Sequence, residues 1–410
     1  MTERVVIVGG GQAAASAAFR LRSQGFAGSI DILSEESEFP YQRPPLSKKY
    51  LKGMMERDRL LLRPEALYRE NDITVHLNTQ ALHINRSTKR IATDGNANMP
   101  YDKLVIATGA TPRRLPKEIG GHLSNVMTFR TLADADLLAE YIRPGQRLLI
   151  VGGGYIGLEM AAVGIDLGLE VTLVEVAPRI LNRVACAQTA DWFRRLHLDR
   201  GVDLREGVGL SQLIAQDDKA ALAALSDGSA VGVDFVVAGI GVTANDKLAR
   251  SAGLSVQNGI ATDDQCRAFD PDIFAIGDCA VFPYRGEMTR LESVQNACDQ
   301  GDFVADHILG KAPAAYVPEP WFWSDQYDVS LKIAGLNRGY DTIHVRPGER
   351  NEAVSHWYFR GPNFLAVDAI DDPKAYMIGK KWLAAGGTPV VCDLIDPSIP
   401  LKSVRVGTSS

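Results

Sequence analysis

One pattern occurs twice in this chain, and it restricts the fold more than any other feature. The chain opens RVVIVGGGQAAASAAF, and near residue 150 it reads LLIVGGGYIGLEMAAVG. Each stretch is a short apolar run, a glycine turn and a run of small residues. Val5–Val8 and Leu148–Val151 are apolar at every position, as suits central parallel strands covered on both faces. Gly9-Gly10-Gly11-Gln12-Ala13-Ala14 fits Gly-x-Gly-x-x-Ala, and Gly152-Gly153-Gly154-Tyr155-Ile156-Gly157 is a full Gly-x-Gly-x-x-Gly. The first glycine of each allows a tight turn. The second, Gly11 or Gly154, has no side chain to block a pyrophosphate. The third small residue, Ala14 or Gly157, lets the helix pack close to the strand. The helix that follows points its amide end at the phosphates.

Each unit is completed by a second strand and an acid. Ser29–Leu33 runs into Ser34-Glu35-Glu36, and Glu170–Val174 ends on Glu175. An acid there can accept hydrogen bonds from ribose hydroxyls, and Glu35 stands about 25 residues after Gly9, close to the expected interval. Glu175 would accept from a 2′-hydroxyl and repel a 2′-phosphate, which favours NADH over NADPH although Arg179 and Arg183 follow closely. Two complete units ask for two dinucleotides, and so for electrons passing between them. Two further strands frame the second unit. Leu104–Ala107 ends on a Thr-Gly turn, and Ile273–Ile276 runs into Gly277-Asp278. Asp278 could accept from the ribityl hydroxyls of FAD, cap a helix, or do both.

Composition narrows the function classes. At 410 residues the chain exceeds one ordinary core, and its 46% apolar and 23% charged residues are typical of a globular protein. A net charge of −6 gives a nucleic-acid partner no electrostatic support. The five cysteines, Cys186, Cys266, Cys279, Cys298 and Cys392, include no CxxC spacing, so neither a metal site nor a redox pair is expected. Such a scattered, odd set fits a reducing compartment. The start reads as a buried strand rather than a signal peptide, and no stretch approaches a membrane span. A cytoplasmic protein without membrane contact is expected.

After the proline-rich stretch 311–320 the pattern changes. Val329–Ala334, Thr342–Val345, Val354–Phe359 and Phe364–Ala369 read as an antiparallel sheet, followed by a helix over Lys374–Ala385. This part suits dimerisation or partner docking.

Taken together, GGGQAA, ATG, GGGYIGLE and FAIGD, in that order, resemble the two-dinucleotide flavoprotein reductases. RPPLSK, ESVQNA, PWFWSDQYDVSLKIAGL, LAVDAI and PSIPLK resemble one branch of them, the FAD-dependent ferredoxin reductases of bacterial oxygenase systems. The likeness spans essentially the whole chain. It implies an α/β fold with two Rossmann-like dinucleotide-binding domains, as in glutathione reductase, plus an α+β C-terminal domain. A discontinuous FAD domain would take residues 1–110 and 243–316, an inserted NAD domain 111–242, and the C-terminal domain 317–410. By the same resemblance, Gly9, Gly11 and Ala13 face the FAD pyrophosphate, Glu35 the adenosine ribose and Ala81 the adenine side. Lys48 reaches the flavin region, Arg130 approaches the pyrophosphate, Asp278 holds the ribityl chain and Val294 lies near the flavin ring. Gly152, Gly154, Gly157, Glu159, Glu175 and Gly241 would serve NAD. Ala14 stands where many relatives have glycine, a small departure.

Lys48 and Glu159 are the candidate catalytic pair. A positive charge near a flavin stabilises its anionic reduced form, and an acid near the nicotinamide orients it and anchors the lysine. Relatives with a redox-active cysteine pair are a poor match, because no thiol pair is present for a flavin to reduce. The implied reaction is hydride transfer from NADH to FAD, then single electrons to a 2Fe-2S ferredoxin that feeds a haem-thiolate monooxygenase or a Rieske-type oxygenase. A rubredoxin reductase, an NADH oxidase and a redox-sensing flavoprotein like the apoptosis-inducing one are the alternatives. Two basic groups could dock an acidic partner: Lys48, Lys49, Lys52, Arg57, Arg59 and Arg63, or Arg290, Lys332, Lys380 and Lys381.

Overall fold

The computed structural model describes residues 3–95 and 97–408. The chain forms two compact units, each assembled from separated stretches: Met1–Arg43, Met55–Thr111 and Val242–Pro318 in the first, Pro44–Met54, Pro112–Gly241 and Glu319–Ser410 in the second.

The first unit is built on a parallel sheet in the order Ile273–Ala275, Lys103–Ile106, Arg4–Val8, Ser29–Leu33, Ile73–His76, with Arg267–Asp270 antiparallel at one edge. Arg4–Val8 is central, and Val5, Val6 and Ile7 are fully buried, which is why its sequence does not alternate. Gly9 has φ +122°, and a Cβ there would lie 2.1 Å from the carbonyl oxygen of Ala107, so only glycine lets the chain leave the strand at this point. Helix Gln12–Ser23 then packs on helix Val294–Ile308. Their backbones approach so closely that a Cβ on Gly301 would stand 2.7 Å from the Ala13 carbonyl oxygen.

The second unit carries a five-stranded parallel sheet in the order Asp203–Glu206, Glu170–Glu175, Arg147–Val151, Phe235–Ala238, Val126–Thr128. Helix Tyr155–Asp166 follows its glycine turn, and residues Gly157 through Gly164 of that helix are all buried. The same unit contains an antiparallel sheet in the order Trp321–Gln326, Val329–Gly335, Asn363–Ile370, Val354–Arg360, Thr342–Pro347. Helix Pro373–Ala384 covers this sheet over a core that includes Trp357, Phe364 and Trp382. Asp372 caps it by accepting from the Ala375 amide, and Pro373 stands at its first position.

Four of these five strands coincide with the four β-rich stretches read from the sequence. The fifth, Trp321–Gln326, was not expected as a strand. Its buried positions at the C-terminal end are Ser324 and Gln326, with exposed Asp325 between them. Period-two reading finds strands by apolar residues on the buried face, and here the two fully buried positions of that face, Ser324 and Gln326, are polar.

Candidate active site

Two open cradles lie at the starts of the two glycine-turn helices. A Cβ on Gly11 or on Gly154 would have no neighbouring atom within 4 Å. Neither helix has a side chain capping its N-terminal amides. An uncapped, side-chain-free helix start suits a phosphate, which those amides and the helix dipole would hold. Behind each cradle the packing is tight. A Cβ on Gly157 would fall 2.0 Å from the Gly152 carbonyl oxygen, and Ala14 is fully buried at the matching position of the first turn. The residues present therefore fit two pyrophosphates, one in each unit.

Around the first cradle the structure brings several sequence-selected residues together. Gly277, at φ +74°, sits so near the start of helix Gln12–Ser23 that a Cβ on it would be 3.3 Å from the Ala13 Cβ. Its amide donates to Gln300 Oε1 at 2.7 Å. Asp278 lies inside the short turn Gly277–Cys279, whose cap position is Ile276. Val294 begins the helix capped by Ser293. Glu35 is exposed and accepts from Gln80 Nε2 at 3.1 Å, next to Ala81 at the start of strand Ala81–Asn85. Strand register separates the two acids that look equivalent in sequence. Val8 pairs with Leu33 and Val151 with Val174, so Ser34, not Glu35, is the counterpart of Glu175. Arg43 was not singled out from the sequence. It pairs with Glu36 at 2.5 Å, and its guanidinium lies 5.1 Å from the centre of the Tyr41 ring.

Around the second cradle, Glu175 accepts from the Gly153 amide at 2.7 Å and from the Ala177 amide at 2.8 Å. Its negative charge is thereby held at the mouth of the glycine turn. Arg179 is turned toward the backbone, donating to the Ala185 carbonyl at 2.8 Å. Gly241, at φ +95°, accepts through its carbonyl from the Arg113 amide at 2.9 Å. Arg130 belongs to this unit, and its amide donates to Asp134 at the start of the capped helix Leu132–Ala139.

Lys48 and Glu159 meet in the second unit, with Nζ 2.8 Å from Oε2. Lys48 lies in a wide turn over Leu46–Tyr50 in which the Tyr50 amide reaches back to the Pro45 carbonyl at 3.0 Å. Such π-type turns recur at functional sites because they re-aim a side chain. Here Lys48 leaves helical geometry, with φ −137° and ψ −106°. Glu159 is only 4% exposed, within the buried face of its helix. Two hydroxyls that sequence reading missed complete its partners: Ser47 Oγ donates to Oε2 and Ser324 Oγ to Oε1, both at 2.8 Å. Ser47 was within reach as the neighbour of Lys48. Ser324 had no local signal, because it arrives from 165 residues along the chain.

A second buried polar cluster lies in the same unit. Asp368 is fully buried; Oδ2 accepts from Thr189 at 2.7 Å and from the Tyr358 hydroxyl, and Oδ1 has no partner. Burial pushes its carboxyl up to about 6. His356 Nδ1 shares a 2.8 Å hydrogen bond with Thr189, and burial lowers its imidazole to about 4.

Comparison with known proteins agrees with this architecture. The family model of the pyridine nucleotide-disulphide oxidoreductases matches residues 3–301, and that of the reductase C-terminal domain matches residues 321–405. The chain belongs to the pyridine nucleotide-disulphide oxidoreductases, in their ferredoxin-reductase branch. Putidaredoxin reductase of Pseudomonas putida is 38% identical over 98% of this chain and 96% of that protein. A rubredoxin-NAD(+) reductase of Pseudomonas putida is 36% identical over 90% of this chain and 96% of the other. The crystal structure of the covalent putidaredoxin reductase–putidaredoxin complex superposes with a TM-score of 0.94 at 38% identity, covering 98% of this reductase and 97% of that chain. The family implies FAD and a nicotinamide dinucleotide, and the two open cradles of the reductase fit that pair. Among the described residues, no helix of the reductase is long and apolar enough to cross a membrane.

Proposed function

We propose that this chain is an NADH-dependent ferredoxin reductase, with FAD on the first glycine cradle and NADH on the second. The observation that carries the reading is the pair of uncapped, side-chain-free helix starts on two separate parallel sheets. The bound pair would supply hydride transfer, two electrons, from NADH to FAD, followed by two one-electron transfers to 2Fe-2S ferredoxin, one to each of two acceptor molecules. The chain's own residues bind, orient and tune. Gly9, Gly11, Ala13, Glu35, Ala81, Arg130, Asp278 and Val294 are assigned to FAD; Gly152, Gly154, Gly157, Glu175 and Gly241 are assigned to NADH. The Glu175 carboxylate favours a 2′-hydroxyl and disfavours a 2′-phosphate, and this supports NADH over NADPH. Lys48 supplies a positive charge that favours the reduced flavin, and Glu159 fixes that charge in place. A downstream haem-thiolate monooxygenase or Rieske-type oxygenase would consume the electrons.

The test is a stopped-flow mix of the FAD-loaded protein with NADH, then with NADPH, then with a 2Fe-2S ferredoxin. Fast bleaching by NADH and reoxidation by the ferredoxin are expected. Slow bleaching without ferredoxin turnover would overturn the reading and favour a redox sensor. The 36% identity to a rubredoxin-NAD(+) reductase favours one second reading, in which rubredoxin is the faster acceptor. Lys48→Met should slow bleaching by about tenfold, the order of one lost charge contact. An unchanged rate and unchanged flavin potential would remove Lys48 from the mechanism.

A further inference from the structure

Glu159 is the end of a longer chain of hydrogen bonds, wholly within the second unit. Ser324 Oγ, which donates to Glu159, accepts from Gln326 Nε2 at 3.1 Å. Gln326 Oε1 lies 2.8 Å from His197 Nε2, and His197 Nδ1 lies 3.1 Å from the Tyr327 hydroxyl. Ser324, Gln326 and His197 are fully buried. Three polar side chains without solvent are costly unless every bond is made, and here each has its partners. Two of them occupy alternate positions of one strand and so share its buried face. The third comes from helix Ala187–Asp199.

The chain has a direction. A carboxylate only accepts, so Ser324 must donate to it. Ser324 then accepts from the amide nitrogen of Gln326, which leaves the Gln326 oxygen facing His197. That oxygen requires a proton on His197 Nε2, so Nδ1 is the acceptor for the Tyr327 hydroxyl. Burial lowers the imidazole to about 4, which keeps His197 neutral and able to accept there. Burial also raises the Tyr327 hydroxyl, so it keeps the proton it donates. Arg200 lies 4.9 Å from the Tyr327 ring centre and pairs with Asp328 at 2.6 Å, and the charge of Asp166, the partner of Lys52, also reaches Tyr327. Every donor from Tyr327 inward points toward Glu159.

We propose that Ser324 and Gln326 are positioning residues for hydride transfer: the directed chain Tyr327–His197–Gln326–Ser324 locks the Glu159 carboxylate in the orientation that holds Lys48. The inference rests on the Lys48–Glu159 reading given above. Without Ser324, one carboxylate oxygen loses its donor and Glu159 can turn away from Lys48. The neutral alternative is a buried network that only stabilises the fold.

Five variants, Ser324→Ala, Ser324→Thr, Gln326→Leu, Lys48→Met and Glu159→Gln, separate these outcomes. Ser324→Ala should slow flavin bleaching at saturating NADH by about fivefold, the order of one hydrogen bond to a charged group, with KM within about twofold. Ser324→Thr keeps the hydroxyl and should restore the rate. A second readout needs no turnover. With 15N-labelled histidine, NMR should show His197 protonated on Nε2, and Glu159→Gln should move its resonances in the otherwise intact chain but not in the Gln326→Leu background. Wild-type rates for Ser324→Ala and Gln326→Leu beside a slow Lys48→Met would overturn the inference and leave the site assignment standing. A Thr variant as slow as Ala, or His197 resonances indifferent to Glu159→Gln, would also overturn it. Full rates for both Lys48→Met and Glu159→Gln would instead bring down the site assignment itself.

Discussion

Two glycines of the second cradle look alike in sequence and do opposite work. Gly154 has ordinary extended backbone, with φ −81°, and open space where a Cβ would stand. Gly157 has the Gly152 carbonyl oxygen 2.0 Å from that position. Gly154→Ala should therefore leave denaturant stability within about 0.5 kcal/mol of wild type while raising the KM for NADH by tenfold or more, because the methyl group enters the phosphate cradle. Gly157→Ala should destabilise the chain by about 2 kcal/mol or more, because helix and strand must separate. Glu175→Ala belongs to the same scale. If Glu175 faces the ribose as proposed, the substitution should raise kcat/KM for NADPH relative to NADH by about tenfold, read from steady-state rates with each nucleotide.

At the scale of elements, strands Val354–Arg360 and Asn363–Ile370 and helix Ala187–Asp199 share the Asp368 cluster. The carboxyl of Asp368 rises from 3.8 to about 6 in the folded chain. Between those values the folded state holds a proton that the unfolded state has released. Its contribution to stability is complete below 3.8 and is lost as pH rises through 6. His197 and His356 act in the opposite sense. Both are lowered from 6.5 to about 4, so their contribution is present above 6.5 and is lost as pH falls through 4. Each group changes stability by up to about 1.4 kcal/mol per pH unit in its window. Asp368→Asn removes the opposing contribution. Its denaturant stability should fall more steeply than wild type between pH 6 and pH 4, and should equal or exceed wild type at pH 8. Parallel stability profiles for the two proteins would mean that Asp368 does not titrate in this range. None of this was legible in the sequence, where Asp368 sits unremarked in LAVDAI and gains its partners only when helix and sheet meet.

At the scale of the whole molecule, the C-terminal sheet also completes the surroundings of Glu159. In the second unit it brings Ser324 to Glu159 on helix Tyr155–Asp166 and Gln326 to His197 on helix Ala187–Asp199, and it carries basic and aromatic side chains. Lys332 lies 5.8 Å from the Tyr376 ring centre and Lys380 lies 5.6 Å from that of Trp321. In the other basic group, Lys52 is paired with Asp166 and Arg57 with Glu38. Lys332→Glu with Lys380→Glu should therefore weaken reduction of an acidic ferredoxin at low salt, with the loss shrinking as salt rises, while bleaching by NADH is unchanged. Equal ferredoxin rates at low salt would place docking elsewhere. The doubled glycine turn, the apolar central strands and the fold class were determined by the sequence alone, because the demands of a tight turn, a close approach and a fully covered strand are local. The family resemblance selected Lys48 and Glu159. Only the tertiary structure decided that Ser324 would reach Glu159, with Gln326 and His197 behind it. A buried polar side chain has no preferred spacing in sequence; its partners are set by which elements pack together, and the desolvation it suffers there requires that every bond be made.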